Sequence, residues 1–224
     1  MDLAKACVDI GVFTNRREAM LAFWQQDVGL AFDELLPVGG GVHQHRHRIG
    51  DSIFKLNHAR EPLETALAPA GYRHLYIRSD GVAAPTPLTD PDGNAVTLLP
   101  DPDEPLVRVH LEVSDARAFD AFYGRALELP SAGQHAYRVG TSVLSFEESR
   151  EVSRDPEMRG VGYRYLTIQV KDVVAEHRGI LARGGREGRP PAKLGEVARI
   201  SFVRDPDGNW IEISQRRSLT GSLD

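Results

Sequence analysis

Glu212 is the residue through which this sequence first suggests chemistry. It lies in Ser201–Gln215, SFVRDPDGNWIEISQ, two β-type runs around a DPDG turn. Pro206 presets a turn φ, and Asp207, Gly208 and Asn209 tolerate positive φ. Beyond the turn, alternation puts Trp210, Glu212 and Ser214 on one strand face and Ile211 and Ile213 on the other. With the isoleucines in a core, Glu212 projects from mid-strand into whatever the opposite face encloses. There it is placed to act as a general base, with Trp210 as an apolar wall or as a cap on the core. A second stretch, Gly41–Arg48 (GVHQHRHR), alternates His43, His45 and His47 against Gln44, Arg46 and Arg48. Three histidines on one face suggest a metal. However, the matching stretch His135-Ala136-Tyr137-Arg138 keeps an arginine and loses the histidine series. The favoured expectation is therefore a polar, anion-binding strand, since guanidinium matches carboxylate and phosphate. His47, Arg48, Tyr137 and Arg138 are its ligand-binding candidates, with acid pairing across the sheet as the alternative for the arginines. His58 reads as a rim histidine.

The elements that would position these groups recur in order. PLTDPDGNAVTLLP, residues 87–100, repeats the hairpin and places Thr97 where the later copy has Glu212. Trp24 matches Tyr123, Arg48-Ile49-Gly50 matches Arg138-Val139-Gly140, and Tyr72-Arg73 matches Tyr163-Arg164. Four modules follow. The first has a strand at 5–14, an N-cap at Asn15 with Glu18 at N3, a helix through Met20, Phe23, Trp24 and Val28, a loop at 37–42, and strands at 42–49 and 52–57. The second has a strand at 72–78 and a much shorter interval before its DPDG turn, where Pro85 and Pro87 argue against any helix. The third has strands at 106–113, 136–139 and 142–147 with a helix at 116–126. The fourth has a strand at 163–170 and a helix at 173–183 stopped by Gly184-Gly185.

Composition bounds the rest. The 224 residues are 41% hydrophobic and 26% charged, which is ordinary for globular chains. A net charge of −5 argues against nucleic acid as a non-specific partner. Cys7 is the single cysteine, so no CxxC metal motif exists. No signal peptide or membrane span is evident, and a cytoplasmic location is the expectation.

The DPDGNxIE hairpin closing a βαβββ unit resembles the vicinal oxygen chelate superfamily, which includes glyoxalase I, extradiol dioxygenases and bleomycin-resistance proteins. The resemblance covers almost the whole chain. It implies an α+β fold of tandem βαβββ modules forming two glyoxalase-like domains, 1–100 and 106–224, joined by a linker at 101–105, with the second module shortened. It also implies a concave small-molecule cleft, and it allows a homodimer.

In that family the first strand of a module carries a metal-binding His, the first strand of the next module another, and the closing strand a Glu. Carried over by the repeat, these positions are Asp9, His74 and Thr97 in the first half and Arg108, Tyr165 and Glu212 in the second. Neither half has the two-imidazole, one-carboxylate set that suits non-haem iron. Arg108 beside Glu212 would oppose a dication, so the expectation is a direct Arg108–Glu212 ion pair, or both groups bonded to one ligand, with the Tyr165 hydroxyl alongside. His110 shares the strand face of Arg108 and is either a base or a rim residue. The expected catalytic set is Glu212, His110, Tyr165 and Arg108, with Arg108, His110, Tyr165 and Trp210 also contacting ligand. The cofactor is either none or a divalent Fe, Mn, Zn or Ni ion, with Asp9, His74 and Glu212 as candidate ligands. Pairing module one with module four would instead gather Asp9, Tyr165 and Glu212, which could hold a hard cation or share a proton. The family implies a lyase, isomerase or ring-cleavage enzyme, or a metal-free binding protein of the bleomycin-resistance type.

Overall fold

The computed structural model describes residues 1–64 and 68–223. The first module comprises β1 (Leu3–Thr14), α1 (Arg17–Ala22), β2 (Ala31–Pro37), β3 (Val42–Ile49) and β4 (Ser52–Ala59). The second is β5 (Tyr72–Arg78), β6 (Thr86–Thr89) and β7 (Ala95–Leu99). The third is β8 (Val107–Val113), α2 (Ala116–Asp120), β9 (Ser131–Gly133), β10 (Ala136–Val139) and β11 (Ser142–Glu148). The fourth is β12 (Gly162–Val170), α3 (Val173–Ala182), β13 (Arg186–Leu194), β14 (Ala198–Arg204) and β15 (Trp210–Arg216), followed by the single turn α4 (Arg217–Thr220). The fold is α+β, as expected. The interval before the first DPDG turn contains β6 and no helix.

The repeat has a local physical basis. In each DPDG turn an aspartate side chain replaces missing backbone partners. Asp90 Oδ1 accepts from Asp92 N and Asn94 N at 2.9 Å, and Asp205 Oδ1 accepts from Asp207 N at 3.1 Å and Asn209 N at 2.8 Å. Gly93 and Gly208 both have φ 88°, a conformation that glycine adopts without strain. The helices repeat as well. After α1 and α2 the chain widens into a π-helical turn, with Val28 N donating to Phe23 O and Leu127 N to Phe122 O. That turn seats Trp24 and Tyr123 fully buried, each edge-on to the phenylalanine before it. The expected match of Trp24 with Tyr123 is thus found in three dimensions.

Two local expectations fail. Asn15 does not cap α1; the N-cap position is Arg16, which makes no side-chain capping bond. The Asn15 amide instead donates to Ala59 O and Glu61 O at 2.9 Å and accepts from Leu63 N at 2.7 Å, tying the end of β1 to the chain beyond β4. The strands β2 and β9 occupy stretches with no strand expected. Both are edge strands with largely exposed side chains, so the usual burial alternation is missing.

The sheets do not follow the halves of the sequence. One has the order β13-β14-β15-β12-β1-β4-β3-β2 and joins modules four and one; the other, β6-β7-β5-β8-β11-β10-β9, joins two and three. The division into 1–100 and 106–224 is therefore one of sequence and not of sheets. At the centre of the larger sheet β1 runs antiparallel to β12, pairing Asp9 with Thr167 and Gly11 with Tyr165. Flanking these, β4 is parallel to β1 and β15 to β12, pairing Gly11 with Lys55 and Thr167 with Glu212. Val8, Ile10, Val12, Phe54, Leu56, Ile211 and Ile213 enter one hydrophobic core shared by both sheets. The same core takes in Leu75, Ile77, Val96 and Leu98, with Val82 packed against it, so the face left without a helix is covered within the chain.

A lysine-centred candidate site in the larger sheet

With one face of the larger sheet committed to the core, alternation turns Asp9, Gly11 and Phe13 of β1 to the other face. Lys55 and Asn57 of β4, Tyr165 and Thr167 of β12, and Trp210 and Glu212 of β15 face the same way. A cleft of about 420 Å³ opens there. Its apolar wall comes from a second cluster in which Phe13, Val42, Tyr165, Phe202 and Trp210 are buried and Met158 and Ile200 pack against them. Gly11 makes room for this wall, since a Cβ there would lie 2.1 Å from the Tyr165 ring.

The floor is ionic. Lys55, 2% exposed, donates from Nζ to Thr167 Oγ1 at 2.6 Å and to Glu212 Oε2 at 3.2 Å. Thr167 Oγ1 also donates to Glu212 Oε2 at 2.9 Å. Asp9 accepts from Lys5 Nζ at 2.5 Å, Ile53 N at 2.9 Å and Gln169 Nε2 at 3.2 Å. Burial draws the Lys55 ammonium below the ordinary lysine range, opposed by the Glu212 and Asp9 carboxylates. Burial works against the Asp9 carboxylate, but Lys55 and Lys5 outweigh it and hold Asp9 below the usual carboxylate range. At the side of the floor, the Tyr165 hydroxyl meets Asn57 Nδ2 at 3.3 Å and Gln44 Nε2 at 3.4 Å. Burial and the nearby Glu212 charge push that phenol upward, so it stays protonated.

These residues do not fit a divalent metal. The Lys55 cation already stands against the Thr167 and Glu212 oxygens, in the space that a metal bound to Glu212 would share. A second positive charge would be repelled there at short range and low dielectric. Among the described residues, no group of three or more His, Cys, Asp or Glu side chains is arranged to hold a metal ion.

The expected Arg108–Glu212 pair does not form, because the two strands lie in different sheets. Arg108 instead pairs with Glu104 and lies 5.3 Å over the Tyr76 ring. His74 stacks on Tyr76 and bonds Thr97 Oγ1 at 2.8 Å, so it is far from Asp9 in the fold and no ligand set of Asp9, His74 and Glu212 exists. His110 bonds Ser145 Oγ at 3.1 Å, and Tyr137 bonds Asp120 Oδ1 at 2.9 Å, both in the smaller sheet. Arg138, also in that sheet, lines a separate hollow with Arg108. His47 lies on the opposite face of β3 from Gln44, fully buried against Phe32 and 3.0 Å from Gln25 Nε2. Arg48 pairs with Asp33 at 2.6 Å. Of the expected set, Glu212, Tyr165 and Asp9 gather on one face with Trp210 behind them, as the pairing of modules one and four implied.

Lys55 and Thr167 were missed. The signal for Lys55 was present: in Ile53-Phe54-Lys55-Leu56-Asn57, alternation opposes Lys55 and Asn57 to Phe54 and Leu56. Thr167 lies two residues beyond Tyr165, and only the β12–β15 register shows that it, and not Tyr165, stands beside Glu212.

A family model described as Glyoxalase/Bleomycin resistance protein/Dioxygenase superfamily matches residues 106–213. The chain is 33% identical over 89 residues to a lactoylglutathione lyase of Haemophilus influenzae, covering 39% of this chain and 65% of that protein. It is 36% identical over 67 residues to a probable lactoylglutathione lyase of Vibrio cholerae, covering 30% and 49%. The chain thus spans about half to two thirds of the length of these curated relatives. Among solved structures, glyoxalase I from Zea mays superposes with a TM-score of 0.75 at 16% identity, over 96% of this chain and 92% of that one. A putative dioxygenase from Bacillus subtilis superposes with a TM-score of 0.70 at 12% identity, over 100% and 91%. At such identities the likeness shows the fold alone. By sequence, residues 106–213 match the glyoxalase/bleomycin resistance protein/dioxygenase superfamily, and through both sheets the chain has the fold of glyoxalase I.

Proposed function

We propose that the cleft of the larger sheet binds a small organic molecule carrying carbonyl or carboxylate oxygens and moves a proton on it, as a lyase or isomerase does. The carrying observation is the buried Lys55–Glu212 pair beneath an apolar wall. Lys55 meets a substrate oxygen and stabilises the negative charge that develops on it, as fixed charges in a dry site do. Both hydrogen bonds to Glu212 end on Oε2, which leaves Oε1 to take the proton. Asn57, Gln44 and the Tyr165 hydroxyl orient the substrate at the edge of the floor. This chemistry uses no divalent ion, and both sheets are completed within one chain, so a homodimer is not required to build the cleft. No helix among the described residues is long and apolar enough to cross a membrane.

A second reading, sequestration without turnover, is favoured by one observation: Lys55, Thr167 and Glu212 already satisfy one another in the free protein. The two readings separate in one experiment. Oxo acids, hydroxy acids and thioesters, including the lactoylglutathione named in the curated relatives, are screened by NMR for binding and for conversion. Conversion that disappears in Glu212→Gln while binding persists supports the enzyme. Binding to the cleft without conversion supports sequestration, and no binding at cleft residues contradicts both.

A further inference from the structure

Next to the cleft, and sharing Arg216 with it, lies a hollow of about 240 Å³. Its wall contains Lys5, Arg46, Arg48 and Arg216 against only Glu34 and Asp51. Lys5 is held by Asp9 and Arg48 by Asp33. Arg46 and Arg216 remain. Arg46 is 6% exposed, and its Nε and Nη1 atoms are buried without a hydrogen-bond partner. The Glu34 carboxylate lies 3.1 Å from Arg46 Nε but makes no hydrogen bond with it, and the Glu34 side chain is 46% exposed. Arg216 Nε is also buried and unbonded, and Arg216 has no carboxylate partner among the described residues. The two guanidiniums feel each other: after burial, the Arg216 charge is the largest influence lowering Arg46.

Buried polar groups are nearly always bonded, and unpaired buried charges are costly. Arg46 is ion-paired to the half-exposed Glu34 yet keeps two buried nitrogens unbonded, and the partly buried Arg216 keeps one, so the two guanidiniums facing one hollow leave donors for an anion between them. Guanidinium donors match the paired oxygens of carboxylates and phosphates, so this is the chemistry that relieves both. We infer that the hollow is an oxyanion subsite in which Arg46 and Arg216 hold a carboxylate or phosphate group. Arg216 also lines the cleft, so an anion here also lies beside any molecule bound over Lys55. The subsite goes beyond the proton-transfer reading and does not depend on it.

The test titrates the 224-residue chain with inorganic phosphate and, separately, acetate, with ionic strength held constant by chloride. Arginine Nε–H NMR signals and the unfolding temperature are followed. The expected result is saturable binding that shifts the Arg46 and Arg216 signals and raises the unfolding temperature. Arg46→Gln and Arg216→Gln should each weaken it by about tenfold or more, the worth of a charged hydrogen bond. Arg216, at the end of β15 and only partly buried, is the variant expected to fold if Arg46→Gln does not. Acetate moving the same two signals marks a carboxylate-accepting site; phosphate alone marks a phosphate site. A response no greater than chloride's, or one unchanged in Arg216→Gln, overturns the inference. Phosphate affinity that survives in Glu212→Gln while every organic ligand fails in the cleft would leave the subsite standing and remove the proposed function.

Discussion

Replacing Lys55 by methionine keeps most of the side chain and removes its charge. At 3.2 Å and an effective dielectric near 20, the Lys55–Glu212 attraction is about 5 kcal/mol before desolvation. Asp9 would lose the Lys55 charge but keep Lys5, Ile53 N and Gln169, whereas Glu212 would be left with Thr167 alone, so the larger loss falls on Glu212. Breaking a buried pair by removing one partner costs about 3–5 kcal/mol. We therefore expect Lys55→Met to lose about that much in urea unfolding at pH 8. Lowering the pH should recover part of the loss, because a stranded Glu212 can take a proton. Adding Glu212→Gln should recover most of it, giving a coupling of about 2 kcal/mol or more in the double-mutant cycle. A single-variant loss below about 1 kcal/mol with no coupling would refute the claim that Lys55 is a buried, charged centre of the floor.

Two further outcomes follow from the same face and the one behind it. Gly11→Ala should push the Tyr165 ring off the cleft wall and cost about 1–3 kcal/mol, the usual penalty of overpacking; unchanged Tyr165 ring NMR shifts would contradict it. Burial lowers His47 to about 4, against an unfolded value near 6.5. Its contribution is fully present above pH ~6.5 and is lost as the pH falls toward 4, amounting to about 3 kcal/mol at most. Stability curves of wild type and His47→Asn should therefore converge through that window, and parallel curves would count against it.

The fold was legible where local chemistry repeats. The aspartate–asparagine lock and positive-φ glycine of each DPDG turn, and the aromatic pair ending each helix, are written in contiguous residues. Which modules pair was not legible, because β1 (Val8, Ile10, Val12) and β8 (Val107, Val109, Leu111) both place apolar residues at every second position and nothing in that alternation selects β12 for one and β5 for the other. The Arg108–Glu212 expectation failed on that point alone. Lys55 escaped notice because a strand lysine is usually a solvated side chain. It becomes a site residue only once β1 and β15 bring Asp9 and Glu212 to either side of it. Two edge strands, β2 and β9, lacked a burial pattern to reveal them.

The question of a metal can be asked of the protein directly. Protein purified without chelators from medium containing iron, manganese, zinc and nickel is analysed for metal content, and its crystals are examined for anomalous scattering beside Glu212. With the Lys55 ammonium in that position, bound metal should be far below stoichiometric and no anomalous peak should appear within coordination distance of Glu212. A stoichiometric cation held by Glu212, with Lys55 displaced from Thr167, would contradict the lysine-centred site.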